Sequence, residues 1–299
     1  MPPPLSLLVP VLKLRLLPAM DALVYDVTLT WETFANGEYQ CSTIHKTICL
    51  RVQPNPAGYV VDFQTLAPTL TKPEDLESLE EVALRLAALY ERVLVQVTPT
   101  GEVVGLLNHG ALLQTWQRIA QDLRAATTDE DQVTETLLGY LEQQLQSPAH
   151  FLNSLRHDYV YQTLLPDFYQ LPGTKHPTPK PVRRFSNFFD KTALCFSEHR
   201  QLLPNDDPAR TILFLSGRLD EQRTDLPAVR CQIEKALGMA RAPAGTPPQP
   251  PEAPAPQFHY AATYVLETST GLPISVALSV YARAGQLFNK EYTLVITRP

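Results

Sequence analysis

Cys41, His45 and Cys49 stand four residues apart and are residue types that bind zinc. On a helix that spacing would bring the three side chains together. The same segment holds Thr43, Ile44, Thr47, Ile48 and Val52, and this β-branched composition predicts a strand. Along a strand, residues four apart sit ~13 Å from one another at ~3.3 Å per residue. One ion cannot bridge them, and no metal is expected. His157-Asp158 and Glu198-His199 set a carboxylate beside a histidine. Acid–base catalysis needs that carboxylate to orient the imidazole across space, whereas chain neighbours usually point apart. Both pairs are therefore expected to be solvated polar residues at the ends of elements. Asn205-Asp206-Asp207 lacks the alternating ligands and glycine of a calcium loop and predicts a turn. The sequence contains no Gly-x-Ser-x-Gly, His-Glu-x-x-His, Walker loop or dinucleotide fingerprint. The expectation is a chain with no cofactor, leaning away from an enzyme. A triad assembled across space would leave no mark in one sequence.

Two groups of residues could bind rather than react. Lys175, Lys180, Arg183 and Arg184, with His176 and Phe185 among them, form the basic cluster of the chain. They fall in a proline-rich stretch over 171–190 that reads as a loop. They could grip an acidic partner or a phosphate-like anion, or simply be solvated. Trp116 lies on the apolar stripe of a predicted helix, and Tyr260, Tyr264, Tyr281 and Tyr292 lie in the last strands. Trp116, Tyr260, Tyr264 and Tyr281 are candidates for lining a cleft. A helix core and ordinary sheet propensity explain them equally well.

Composition narrows the partners. The net charge is −6 and the pI about 5.7, which disfavours the basic face that nucleic acid requires and a surface that clings to anionic membranes. No run approaches the ~20 apolar residues of a membrane span. Near the N-terminus, Lys13 and Arg15 follow the apolar stretch rather than precede it, unlike a secretory signal. Met20 could equally be the start. These points favour a cytoplasmic chain. Cys41, Cys49, Cys195 and Cys231 contain no Cys-x-x-Cys pair and are expected to be buried or incidental thiols.

The elements that would position these residues follow from periodicity. Leu23, Tyr25, Val27, Leu29 and Trp31 alternate with polar neighbours, as in a half-buried strand. Asn36-Gly37 is a hairpin signal. Strands are predicted over 22–64, with a return strand from Glu38 to Val52 and a third from Tyr59. Thr71 to Glu74 reads as a capping box opening a helical block over 72–170. A small hairpin around Pro99-Thr100-Gly101 interrupts that block. Asn108 is expected to cap the helix that carries Trp116, Thr127 and Glu130 to open the next, and Ser147-Pro148 to open another that ends before Pro166. Strands are predicted over 191–219, a short helix over 226–239, and a stiff Pro/Ala linker over 242–256. The last strands form a meander over 258–297, in which Ile274, Val276, Leu278 and Val280 alternate with Ser275, Ala277 and Ser279.

Two stretches carry a resemblance. Thr100-Gly101-Glu102-Val103, followed by Asn108 and Trp116, is similar to a pattern in uncharacterised bacterial proteins and implies no activity. The meander with Glu267-Thr268-Ser269-Thr270-Gly271-Leu272-Pro273 resembles hairpins of the LolA-type half-barrel lipoprotein carriers. That resemblance implies a curved antiparallel sheet wrapped around helices, with acyl chains held in the concave face. Those carriers are exported and have a smaller helical block, and no site residue carries over.

The fold expected is α+β: a curved, mainly antiparallel sheet built from both chain ends, with the central helices packed on one face. Residues 21–299 are expected to form one domain, preceded by an extension or edge strand over 1–20. The function expected is that of a bacterial binding or scaffold module working through protein contacts. The alternative is a carrier or sensor of an apolar, lipid-like ligand held between sheet and helices.

Overall fold

The structure is a computed structural model that describes residues 16–19, 21–71, 85–126, 132–169, 181–189, 192–238 and 254–299. Lys175, His176, Lys180, the Thr71–Glu74 box beyond its first residue, the Thr127/Glu130 box, the start of the chain and most of the Pro/Ala linker lie outside the described residues.

The alternating segments become strands β1 (Leu23–Ala35), β2 (Glu38–Asn55), β3 (Gly58–Thr71), β4 (Arg92–Val97), β5 (Val103–Leu106), β6 (Val182–Phe189), β7 (Thr192–Leu203), β8 (Arg210–Leu219), β9 (Gln257–Glu267), β10 (Pro273–Ala284) and β11 (Phe288–Thr297). They form one 11-stranded sheet in the order β5-β4-β3-β2-β1-β11-β10-β9-β8-β7-β6. Every neighbouring pair is antiparallel. The first and last strands of the described residues meet in the middle of the sheet, where β1 and β11 pair from Asp26↔Thr297 to Ala35↔Phe288. The period of two puts Tyr25, Val27, Leu29, Tyr292, Leu294 and Ile296 on one buried face. Thr28, Thr30, Thr43 and His45 bond to one another across strands on the other face.

Helices α1 (His109–Ala126), α2 (Gln132–Gln146), α3 (Pro148–His157) and α4 (Tyr159–Leu164) lie between β5 and β6 in sequence, and α5 (Leu226–Ala236) follows β8. The helix predicted from Ser147 to Pro166 divides at Asp158. The Asp158 carboxylate accepts from the Val160 and Tyr161 amides and so caps α4. Asn108 does not work as the expected side-chain cap. Its Oδ1 accepts from the Leu94 amide and its Nδ2 donates to the Arg92 carbonyl, so the side chain ties the start of α1 to β4.

Helix α4 lies in the concave face. Its Tyr161 meets Phe63 of β3 edge-on, and the adjoining Tyr159 packs on Tyr292 of β11 and Phe185 of β6. The sheet is sharply bent. Phe189 of β6 stacks on Phe288 of β11 with ring centroids 6.1 Å apart, although β10, β9, β8 and β7 lie between those strands. A flat sheet at ~4.8 Å per strand would separate them by ~24 Å. The two outermost strands, β5 and β6, would be ~48 Å apart if flat. Both instead pack against the same helix, α3, whose diameter with side chains is ~10–12 Å. The sheet thus closes almost fully and leaves a seam, with α3 seated in it.

The β1–β2 turn shows how local sequence sets this frame. Asn36 and Gly37 both take positive φ, 53° and 83°, as the twist of a two-residue hairpin demands. A Cβ on Gly37 would meet nothing within 4 Å, so replacing it tests backbone conformation alone. Gly37→Ala should lower stability by about 1–2 kcal/mol, measured by urea unfolding. An unchanged midpoint would mean the turn relaxes at no cost.

Candidate functional site

The seam is where charged residues gather. Residues 171–190 were expected to be loop, but Val182–Phe189 is the edge strand β6, so Arg183 and Arg184 are held by a sheet. The alternation hidden by the prolines is Arg183, Phe185 on the inner face, with Phe185 buried against Tyr260 and Phe196. Glu198 is a second correction. It was expected to be solvated at the end of an element, yet it lies within β7 on the buried face that already carries Leu194 and Phe196. Its side chain is only 3% accessible.

A buried carboxylate needs partners, and Glu198 has two. The Tyr260 hydroxyl donates to Oε2 at 2.9 Å. Arg200 Nε donates to Oε1 at 2.6 Å. The same Arg200 reaches Asp167 Oδ1 through Nη2 at 2.6 Å and stands over the Phe168 ring. Tyr260 is on β9 and Glu198 on β7, so the ring must cross β8. It crosses at Gly217, where a Cβ would come within 2.6 Å of Tyr260 and 2.7 Å of Phe196. Burial pushes the Tyr260 pKa far up, with the Glu198 carboxylate adding to the effect against Arg183. The phenol therefore stays a donor.

Arg183 is held differently. Its Nη1 donates to the Gln162 carbonyl at 3.4 Å, and Nη2 to Thr163 Oγ1 at 3.5 Å and Tyr264 Oη at 3.4 Å. All three acceptors are neutral and distant. Its Nε is buried without an acceptor. Arg184 donates to Ser186 Oγ. Among the described residues, neither guanidinium has a carboxylate within ion-pair distance. Across the seam, Arg156 of α3 donates through Nε to the Val103 carbonyl of β5 at 2.8 Å and lies 3.9 Å from Glu102. His157 beside it is half-buried. Burial first, then Arg184 and Arg156, lower its pKa below the usual 6.5.

Two cavities share wall residues here. One of about 250 Å³ is bounded by Phe63, Val103, Tyr161, Arg183, Glu198 and Arg200, among others. A larger one of about 490 Å³ is bounded by Trp31, Tyr90, Tyr159, Phe188 and Ala193, with the polar Asn153, Ser154 and Asp158. Leu155, His157 and Arg184 border both. A third cavity of about 130 Å³ adjoins them at Tyr90 and Tyr161.

The residues singled out from the sequence fall in different places. Arg183 and Arg184 come together at the seam. Tyr264 touches Arg183, and Tyr260 touches Glu198. Tyr281 projects from the opposite face, stacked on His259 and beneath Arg283. Trp116 is buried in the helical layer. Cys41 and Cys49 sit on β2 as free thiols, and among the described residues no group of three metal-ligating side chains exists. Sequence reasoning missed Glu198, Arg200, Asp167, Arg156 and His157 as a group. The one available signal was the spacing Phe196, Glu198, Arg200, which continues an apolar strand face with opposite charges.

No family model and no curated protein matches the chain. Among solved structures, the chain is similar to lipovitellin, in a structure concerned with its lipid–protein interactions. The TM-score is 0.41 and the identity 6%, over 92% of this chain and 25% of that one. The chain thus spans about a quarter of that lipovitellin chain. It also aligns with MucB in complex with MucA(peri) at a TM-score of 0.11 and 9% identity, covering 92% and 89% of the two chains. These likenesses assign no family, and the resemblance to LolA-type carriers gains none from them. Among the described residues no helix is long and apolar enough to cross a membrane.

Two outcomes follow from this geometry. Gly217→Ala should displace the Tyr260 ring from Glu198 and cost about 1–3 kcal/mol in chemical unfolding. A neutral result would show that the crossing has slack. His157 binds its proton less readily folded than unfolded, so the unfolded state takes up more protons once pH falls towards 6.5. The stability His157 contributes is present above that pH and is lost as pH falls from there through its lower folded value. His157→Gln should flatten the fall in unfolding free energy between about pH 7 and 5; an identical slope would place the cause elsewhere.

Proposed function

We propose that the chain is a binding module whose occupant is a single-chain, lipid-like small molecule lying along the seam. The supporting observation is that the cavities of about 250 and 490 Å³ share Leu155, His157 and Arg184 as wall residues. The larger falls within the ~300–1,000 Å³ usual for small-molecule sites. The ligand lies beside α3 and α4 rather than deep against the sheet, because the middle of the concave face is filled. Tyr25, Phe63, Tyr260, Tyr264, Tyr292 and Phe288 are all under 2% or about 2% exposed there. Aromatic walls at Trp31, Tyr90, Tyr159 and Phe188 supply apolar contact with little loss of rotamer entropy. Asn153, Asp158, Lys290 and Glu291 also border that cavity and make its lining more polar than apolar, which suits an amphiphile better than a pure hydrocarbon.

A second reading is a protein partner, and the edge strand β6 favours it. That strand has β7 on one side and no strand on the other among the described residues, and an open edge can accept an added strand.

Trp31 lines the larger cavity while Trp116 is buried in the helical layer, so tryptophan emission reports occupancy. Titration with dodecanol should shift the emission, and Trp31→Phe should remove the shift. Ala193→Phe, which fills the larger cavity, should weaken dodecanol at least tenfold. No shift with dodecanol, and no co-purifying amphiphile in native mass spectrometry, would overturn the ligand reading in favour of the partner.

A further inference from the structure

The charge balance of the seam says more about the occupant. Four arginines border the smaller cavity: Arg156, Arg183, Arg184 and Arg200. Three carboxylates border it too, Glu102, Asp167 and Glu198. The acids are already committed. Glu198 and Asp167 are both bound by Arg200, and Glu102 lies nearest Arg156. That leaves Arg183 and Arg184, consecutive on β6 and both bordering this cavity, with only neutral acceptors among the described residues. A guanidinium stays charged in a protein and offers five donors in a planar fork. Arg183 uses its fork poorly, at 3.4–3.5 Å on the Nη atoms and not at all on Nε. Arg183 lies in the field of Glu198 and Asp167 but pairs directly with neither, and leaving its buried Nε–H unmade is costly. An arrangement of this kind is suited to an incoming anion, because an arginine fork matches the two oxygens of a carboxylate or phosphate.

We propose that the occupant carries an oxyanion, a carboxylate or a phosphate monoester, held at the seam by Arg183 and Arg184. Its apolar chain then runs past Leu155 into the cavity walled by Trp31, Tyr159 and Phe188. His157 borders both cavities, and burial with the neighbouring Arg184 and Arg156 favours its neutral form, leaving the arginines as the positive charge facing the head group. This inference rests on the ligand reading above and adds the chemistry of the head.

The test uses the full chain and three probes that share one tail: dodecanoate, dodecyl phosphate and dodecanol, titrated by calorimetry below their aggregation limits. At least one anion should bind tenfold or more tightly than the alcohol, and the ratio between the two anions distinguishes a carboxylate head from a phosphate head. Arg184→Gln changes an exposed side chain and should reduce the anion-to-alcohol ratio at least tenfold. Arg183→Gln should do the same where its melting curve shows a folded protein. Equal binding of all three probes, or a ratio unmoved by Arg184→Gln, overturns the anion assignment while leaving an apolar ligand in place. Failure of all three to bind overturns the ligand reading itself.

Discussion

The hydrogen-bonded pairing of β1 with β11 is the constraint from which the rest follows. It joins the first and last strands of the described chain over ten residue pairs, from Asp26↔Thr297 to Ala35↔Phe288. Without it there would be two separate antiparallel sheets, one running β1 to β5 and the other β6 to β11, each with an unprotected central edge. With it, the sheet ends among the described residues are β5 and β6. Both ends are then carried by curvature toward a single helix. The site lies where they fail to meet.

Curvature is imposed by side chains as much as by backbone twist. Small residues line the buried face of β10 at Ala282 and Ala284, while Phe288 on β11 and Phe189 on β6 are large. The two rings stack on one another and so hold β6 over β11. Tyr159 fixes the distance by packing on Tyr292 and Phe185 together and by donating its hydroxyl to the Ser186 carbonyl. Tyr25 and Tyr169 act at the other end, donating to the carbonyls of Pro273 and Gly271. Each of these phenols joins residues far apart in sequence, and burial raises the pKa of each, so they remain protonated donors.

Much of the architecture was legible because it rests on period-two alternation, which survives in the sequence. The strands at both chain ends, the Asn36-Gly37 turn and the joining of both ends in one curved sheet could all be read this way. The site was far less legible. Strand β6 was obscured because prolines before it give the region the look of a loop. Glu198 was misread because its neighbour His199 suggested a polar pair, while the stronger cue was its place two residues after Phe196. The gathering of Arg156 and Arg183 around one cavity depends on curvature, and no local pattern encodes curvature. Tyr281 shows the reverse case. Its type matched Tyr260 and Tyr264, but its odd position in the β10 alternation sends it to the opposite face.

Amide hydrogen exchange, resolved by residue, tests the central pairing most directly. Protection follows the free energy of local opening, so strands held on both sides at the centre of a sheet should outlast its ends. The account predicts the slowest exchange in Asp26–Ala35 and Phe288–Thr297, with β5 and β6 exchanging markedly faster. Rapid exchange across β1 and β11, with protection confined to two separate groups of strands, would contradict it.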